Sequence, residues 1–145
     1  MKKHAYTMIA MIVLFGCMAV SARAQCSSVT SKANIPFPFN VAQTSLPAGE
    51  YTVTCLEPEA GLVLIRNTNQ NSRAAATMIS ITGKAQDQGK LVFHRYGSQY
   101  FFVQAWTRGT KTGLQLPMTH AESRTAREFA GIKPKTETIA LTARK

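Results

Sequence analysis

The chain has 145 residues, 17 basic against 7 acidic side chains, a formal net charge of +10 and three cysteines. That length is enough for one domain with a core of its own. With no internal repeat, linker or low-complexity block, a repeat array and a linker-joined pair of domains are excluded. The basic balance favours anionic partners such as lipid headgroups or acidic polysaccharide. No nucleic-acid recognition motif accompanies it, so nucleic acid is not expected as a partner.

Residues 1–24 read as an export signal that is removed. Lys2 and Lys3 give a positive start, Met8–Val20 is an apolar run too short for a comfortable membrane span, and Ala22-Arg23-Ala24 is a small-residue cleavage site before Gln25. The protein is then expected in the periplasm or outside the cell. An alternative is that Leu14-Phe15-Gly16-Cys17 acts as a lipobox, leaving Cys17 as a lipidated N-terminus. Simple cleavage leaves 121 of the 145 residues, and the loss of Lys2, Lys3 and Arg23 lowers the net charge by three, to +7.

Cys26 and Cys55 remain, and an even count in an oxidising compartment favours a disulfide. It would close a loop of about 30 residues and stabilise by roughly 3–4 kcal/mol in the chain-entropy account. Residues 25–33 are Ser/Thr-rich and expected to be flexible unless Cys26 ties them down. A single domain, 34–145, follows.

Asn34–Val41 (NIPFPFNV) puts Ile35, Phe37, Phe39 and Val41 on one side. Its two prolines suit an edge strand or a lead-in to a sheet. Leu46–Gly49 turns the chain into a one-sided strand, Glu50–Leu56, with Tyr51, Val53 and Cys55 inward. Leu62–Ile65 is wholly apolar and expected to be central. Ala74–Thr82 is the next strand, with Ile79 and Ile81 inward.

Lys90–Thr107 (KLVFHRYGSQYFFVQAWT) is the densest β signal. Gly97-Ser98 suits a two-residue type II′ turn, which pairs Tyr96 with Gln99, Arg95 with Tyr100, His94 with Phe101 and Phe93 with Phe102. Strict alternation then places Val92, His94, Tyr96, Phe101, Val103 and Ala105 on one face. Leu91, Phe93, Arg95, Tyr100, Phe102 and Trp106 fall on the other. Neither face is polar, so both are expected to be covered.

The one helix expected is 119–130. Thr119 and Glu122 form a capping box, Gly131 suits the stop, and Met118, Ala121, Thr125, Phe129 and Ile132 make a narrow apolar stripe. Lys135–Ala143 alternates as a final half-buried strand. The fold class is therefore mainly all-β: an antiparallel meander of six to seven strands, closed as a small barrel or folded as a sandwich, with a helix before the last strand.

Three stretches, NIPFPF with LPAGEYTV (34–39, 46–53), FHRYGSQYFFVQAW (93–106) and LPMTHAE (116–122), together resemble a family of small exported acidobacterial-type β proteins. The resemblance spans most of the mature chain. It implies export and a β-rich fold, and it brings no catalytic residues. Members of that family often carry an acidic residue where Ser98 stands, a departure confined to the hairpin tip.

For chemistry, the mature chain offers two histidines, His94 and His120, and one aspartate, Asp87, with no G-x-S-x-G elbow. His94 reads as a core histidine bonded to a backbone carbonyl, and His120 as solvated in the first helical turn. Glu57 and Glu59 share a turn without further metal ligands, so no metal or other cofactor is implied. Two binding arrangements remain. His120, Arg124 and Arg127 fall on one helical face and, with Arg108 and Lys111 before the helix, could hold an anionic polymer or headgroup. Alternatively Arg95, Tyr100 and Trp106 form an aromatic floor with a guanidinium edge for a small apolar or sugar ligand. The expectation is a non-enzymatic envelope protein of the first kind, with a ligand carrier as the alternative and a hydrolase as a remote one.

Overall fold

In the computed structural model, residues 30–130 and 132–143 are described. The expected export signal, the alternative lipidation site at Cys17 and the Cys26 half of the expected disulfide lie outside them. Among the described residues, twelve strand segments and one helix follow in order. The strands before the aromatic hairpin are β1 (Ser31–Ile35), β2 (Phe39–Val41), β3 (Thr44–Leu46), β4 (Gly49–Glu57), β5 (Leu62–Asn67), β6 (Arg73–Thr77) and β7 (Ile79–Thr82). The hairpin is β8 (Lys90–Tyr96) and β9 (Gln99–Trp106). After it come β10 (Thr112–Gln115), α1 (His120–Glu128), β11 (Lys135–Ala140) and β12 (Thr142–Ala143).

The hairpin organises the rest. Gly97 sits at φ 59° while Ser98 does not take positive φ, as a type II′ turn requires. The pairs Tyr96–Gln99, Arg95–Tyr100, His94–Phe101 and Phe93–Phe102 all form. Both faces are dry: Phe101 is 3% exposed and Phe102 1%. The register slips once, between Val92 and Phe93, where Phe93 faces Phe102 but Val92 faces Gln104. Val103 is the extra residue of a β-bulge, and its carbonyl accepts instead from the Leu116 N–H at 2.8 Å.

That bulge swaps two of the expected side chains. Beyond it Ala105, not Trp106, joins the main core, while Trp106 packs on the other face with Val92, Val103 and Ile81.

Two sheets enclose the main core. One has the order β12-β1-β4-β5-β6; the other runs β11-β8-β9-β10-β7, with β2 laid parallel against β9 and β3 paired to β2. Between them lie Ile35, Phe39, Val41, Tyr51, Ile65, Leu91, Phe93 and Phe102, all essentially without solvent contact. Their rings meet mostly edge to face, as at Phe39–Phe93 (5.4 Å, 80°) and Phe39–Tyr51 (5.1 Å, 77°). Each such burial stabilises by roughly 1.5–3 kcal/mol.

Of barrel and sandwich, the fold is the sandwich, and no closed barrel forms. Both edges are turned by a strand that changes sheets, β6 into β7 at Met78 and β11 into β12 at Leu141. At these corners the Met78 and Leu141 N–H groups bond the Gly61 and Gly89 carbonyls (2.9 and 2.7 Å), so neither donor is lost. Pro36-Phe37-Pro38 likewise carries the chain from β1 to β2 across the sheets, where absent N–H groups cost nothing.

Three expectations are corrected here. Ser31–Ala33, within the stretch read as flexible, belong to β1, paired on both sides with β4 and β12. The strand expected over Ala74–Thr82 breaks at Met78, so Ala74, Ala76 and Met78 are buried while Ile79 is 52% exposed and Ile81 turns to the Trp106 side. The expected helical stripe holds only at Thr125 and Phe129: Met118 and Ile132 are 60% and 67% exposed, and Glu122, which the stripe did not include, is buried beside Thr125.

Candidate functional site

The helix is seated on the hairpin by polar contacts. Thr119 caps it, its Oγ1 accepting from the Glu122 N–H at 3.1 Å. The Glu122 side chain does not complete the capping box. It turns inward, where its Oε1 lies 2.8 Å from His94 Nδ1 and accepts from the Tyr96 hydroxyl at 3.3 Å. Thr125 Oγ1 donates to Gln99 Oε1 at 3.3 Å, and the Phe129 ring lies against Gly97 and Tyr96.

His94 is thus bonded to a carboxylate and not to a backbone carbonyl. Glu122 is 3% exposed, and its Oε1 takes both contacts, to His94 and to Tyr96. Burial first, then the Glu122 charge and the hydrogen bond to it, raise the Tyr96 hydroxyl above its ordinary range. A histidine held by a buried carboxylate is half of a general-base arrangement. No hydroxyl or thiol among the described residues is hydrogen-bonded to the His94 ring, so the geometry here describes a helix anchor.

The five residues expected to form one anionic site are divided. His120, Arg124 and Arg127 are exposed on α1, beside Gln99 at one end of β9. Arg108 and Lys111 are in the turn at its other end, beyond Trp106. Seven strand steps separate Gln99 from Trp106, about 23 Å at ~3.3 Å per residue.

The second expected trio is also divided. Tyr100 is already engaged: Phe37 stacks on it at 3.8 Å and 12°, and the Arg95 guanidinium carbon lies 5.4 Å from its ring centroid. Arg95 Nε donates to the Gly97 carbonyl at 2.8 Å, and its Nη1 lies 3.6 Å from Glu137. No open aromatic floor is left there. Trp106 is at the far end, its indole N–H donating to Gln104 Oε1 at 2.9 Å across the bulged face. Its ring lies so close over Gly83 and Gly113 that a Cβ on either would come within 2.6 Å.

At that end the two sheets part around a cavity of about 140 Å³. Its wall is mostly apolar (Val53, Cys55, Val63, Ala105, Leu114, Leu141 and Trp106), with hydroxyls from Ser31, Ser80, Thr107, Thr110 and Thr112. A cleft of about 330 Å³ shares Ser31, Thr107 and Leu141 with it and adds Gln88, Gly89, Arg108 and Thr142. The loops around the mouth are tied together, Gln86 N–H to the Thr110 carbonyl and Gly109 N–H to the Gln86 carbonyl.

Sequence reasoning found Trp106 but missed this cavity, because its wall draws on seven segments that no local pattern joins. Among the described residues no group of three or more His, Cys, Asp or Glu could hold a metal ion, and no helix is long and apolar enough to cross a membrane. Compared with family models, characterised proteins and solved structures, the chain matches none.

Proposed function

We propose that the protein is an exported, non-enzymatic binding protein that holds a small apolar ligand between its sheets. The observation that carries this reading is the cavity of about 140 Å³ beside Trp106. An apolar void of this size is large enough for one benzene-sized ring, and open ends of β-sheet folds are common ligand sites. The competing assignment, contact with an anionic polymer, keeps His120, Arg124 and Arg127 exposed on the helix but lacks the two loop residues meant to complete its patch.

Export, and a Cys26–Cys55 bridge, rest on the Met1–Ala24 pattern and the cysteine count. The bridge is supported by register: Ser31 faces Val53, so the chain enters β1 from the Cys55 end of β4.

The test uses protein secreted by its own host, with an intact mass beginning at Gln25 and two hydrogens short of the dithiol form. Benzene or a short alkane should raise its Tm, since a ligand that binds only the folded state stabilises it. Ala105→Leu, which fills the chamber, should abolish the rise while circular dichroism stays native. A Tm rise that survives Ala105→Leu, or none in the parent protein, removes this reading.

A further inference from the structure

The cavity and the cleft beside it differ in chemistry, and that difference names a ligand class. The inner chamber contains no Lys, Arg, Asp or Glu in its wall. The cleft beside it contains one, Arg108, and the two hollows share Ser31, Thr107 and Leu141 in their walls. We infer that the site takes a small amphiphile whose apolar end fills the chamber and whose anionic head, a carboxylate, phosphate or sulfate, meets Arg108 at the mouth. This rests on the proposed reading of the chamber as a ligand site.

Charges of both signs stand near the mouth. Lys84 and Lys111 stand in the two laced loops, and Gly83 N–H bonds the Lys111 carbonyl at 2.8 Å, which holds those loops together. Asp87 is in the first of these loops, and Glu57 and Glu59 are in the β4–β5 turn. None of the three acids borders the chamber or the cleft, whereas Arg108 does. Arg108 makes no ion pair among the described residues and is exposed, so its guanidinium is free to present a fork of donors to an oxyanion. The hydroxyls of Ser31 and Thr107, residues that line both hollows, suit the polar junction of such a molecule.

Ligand-observed NMR titrations with hexanoate and hexan-1-ol separate the two levels of the claim. The probes share a chain and differ in the head. Hexanoate should bind about five-fold more tightly than hexan-1-ol at low salt, as one partly solvated ion pair allows. That advantage should shrink as salt is added. Arg108→Gln should erase it and leave hexan-1-ol binding unchanged. Equal affinities, or an advantage that survives Arg108→Gln, overturn the head-group inference while the chamber remains a ligand site. If neither probe binds, the ligand reading itself fails and this inference fails with it.

Discussion

Glu122 shows how one side chain can be assigned correctly to an element and wrongly to a job. Thr119 and Glu122 have the spacing of a capping box, and the backbone half of that box forms. The carboxylate has stronger partners available in His94 and Tyr96, donors on a hairpin that is distant in sequence but adjacent in space. No periodicity could announce that. The contact has a pH signature through Tyr96, whose folded value lies above its ordinary 10.0. As pH rises the unfolded chain gives up this proton first, so the Tyr96 contribution is whole below about pH 10 and is lost as pH climbs through the folded value. Tyr96→Phe should cost about 1 kcal/mol near neutrality, the net worth of one hydrogen bond. Its stability in denaturant titrations should also fall less steeply above pH 10 than that of the parent. Parallel curves would show that this hydroxyl does not couple the helix to the sheet.

At the scale of elements, the hairpin was legible because its signal is local. A glycine in a two-residue turn fixes every pair up to the first irregularity. The bulge at Val103 was not legible, since the partner of its carbonyl is the Leu116 N–H just past β10, distant in sequence from β8, and one extra residue reverses every face beyond it. That is why Trp106 was placed on the inner face and Ala105 on the outer. The helix stripe holds only in part for a related reason: the surface under α1 offers His94, Tyr96 and Gln99, so Glu122 is drawn in beside Thr125 and Phe129 while Met118 and Ile132 stay out.

The turn itself gives a sharp test. An alanine at 97 would have to hold φ near 59° and would place its Cβ 2.9 Å from the Phe129 ring. Left-handed backbone alone costs roughly 1–2 kcal/mol for a residue with a Cβ, so Gly97→Ala should destabilise by about 2 kcal/mol in equilibrium unfolding. A variant as stable as the parent would mean the turn is not held as described.

For the whole molecule, the strand content, the late helix and the interior place of β5, between β4 and β6, could be read from alternation and turn residues. The way the sheets join could not. Met78 and Leu141 are apolar residues inside alternating runs, and only the tertiary fold makes them corners where one strand serves two sheets. The cavity follows from this architecture. The sheets are filled with rings near the Gly97 end, where Phe37, Phe39, Phe93 and Phe102 pack. At the other end the residues between them are Val53, Val63, Ala105 and Leu114, which are too small to close the gap.

Ligand binding as proposed requires this mostly apolar gap to stay dry. Diffraction from crystals held under xenon measures it most directly, because xenon enters dry apolar cavities and leaves filled or wet ones empty. The account predicts one xenon site enclosed by Val53, Val63, Ala105 and Leu114. A chamber without xenon, occupied by ordered water bonded to Ser80 and Thr112 or closed by its own side chains, would contradict it.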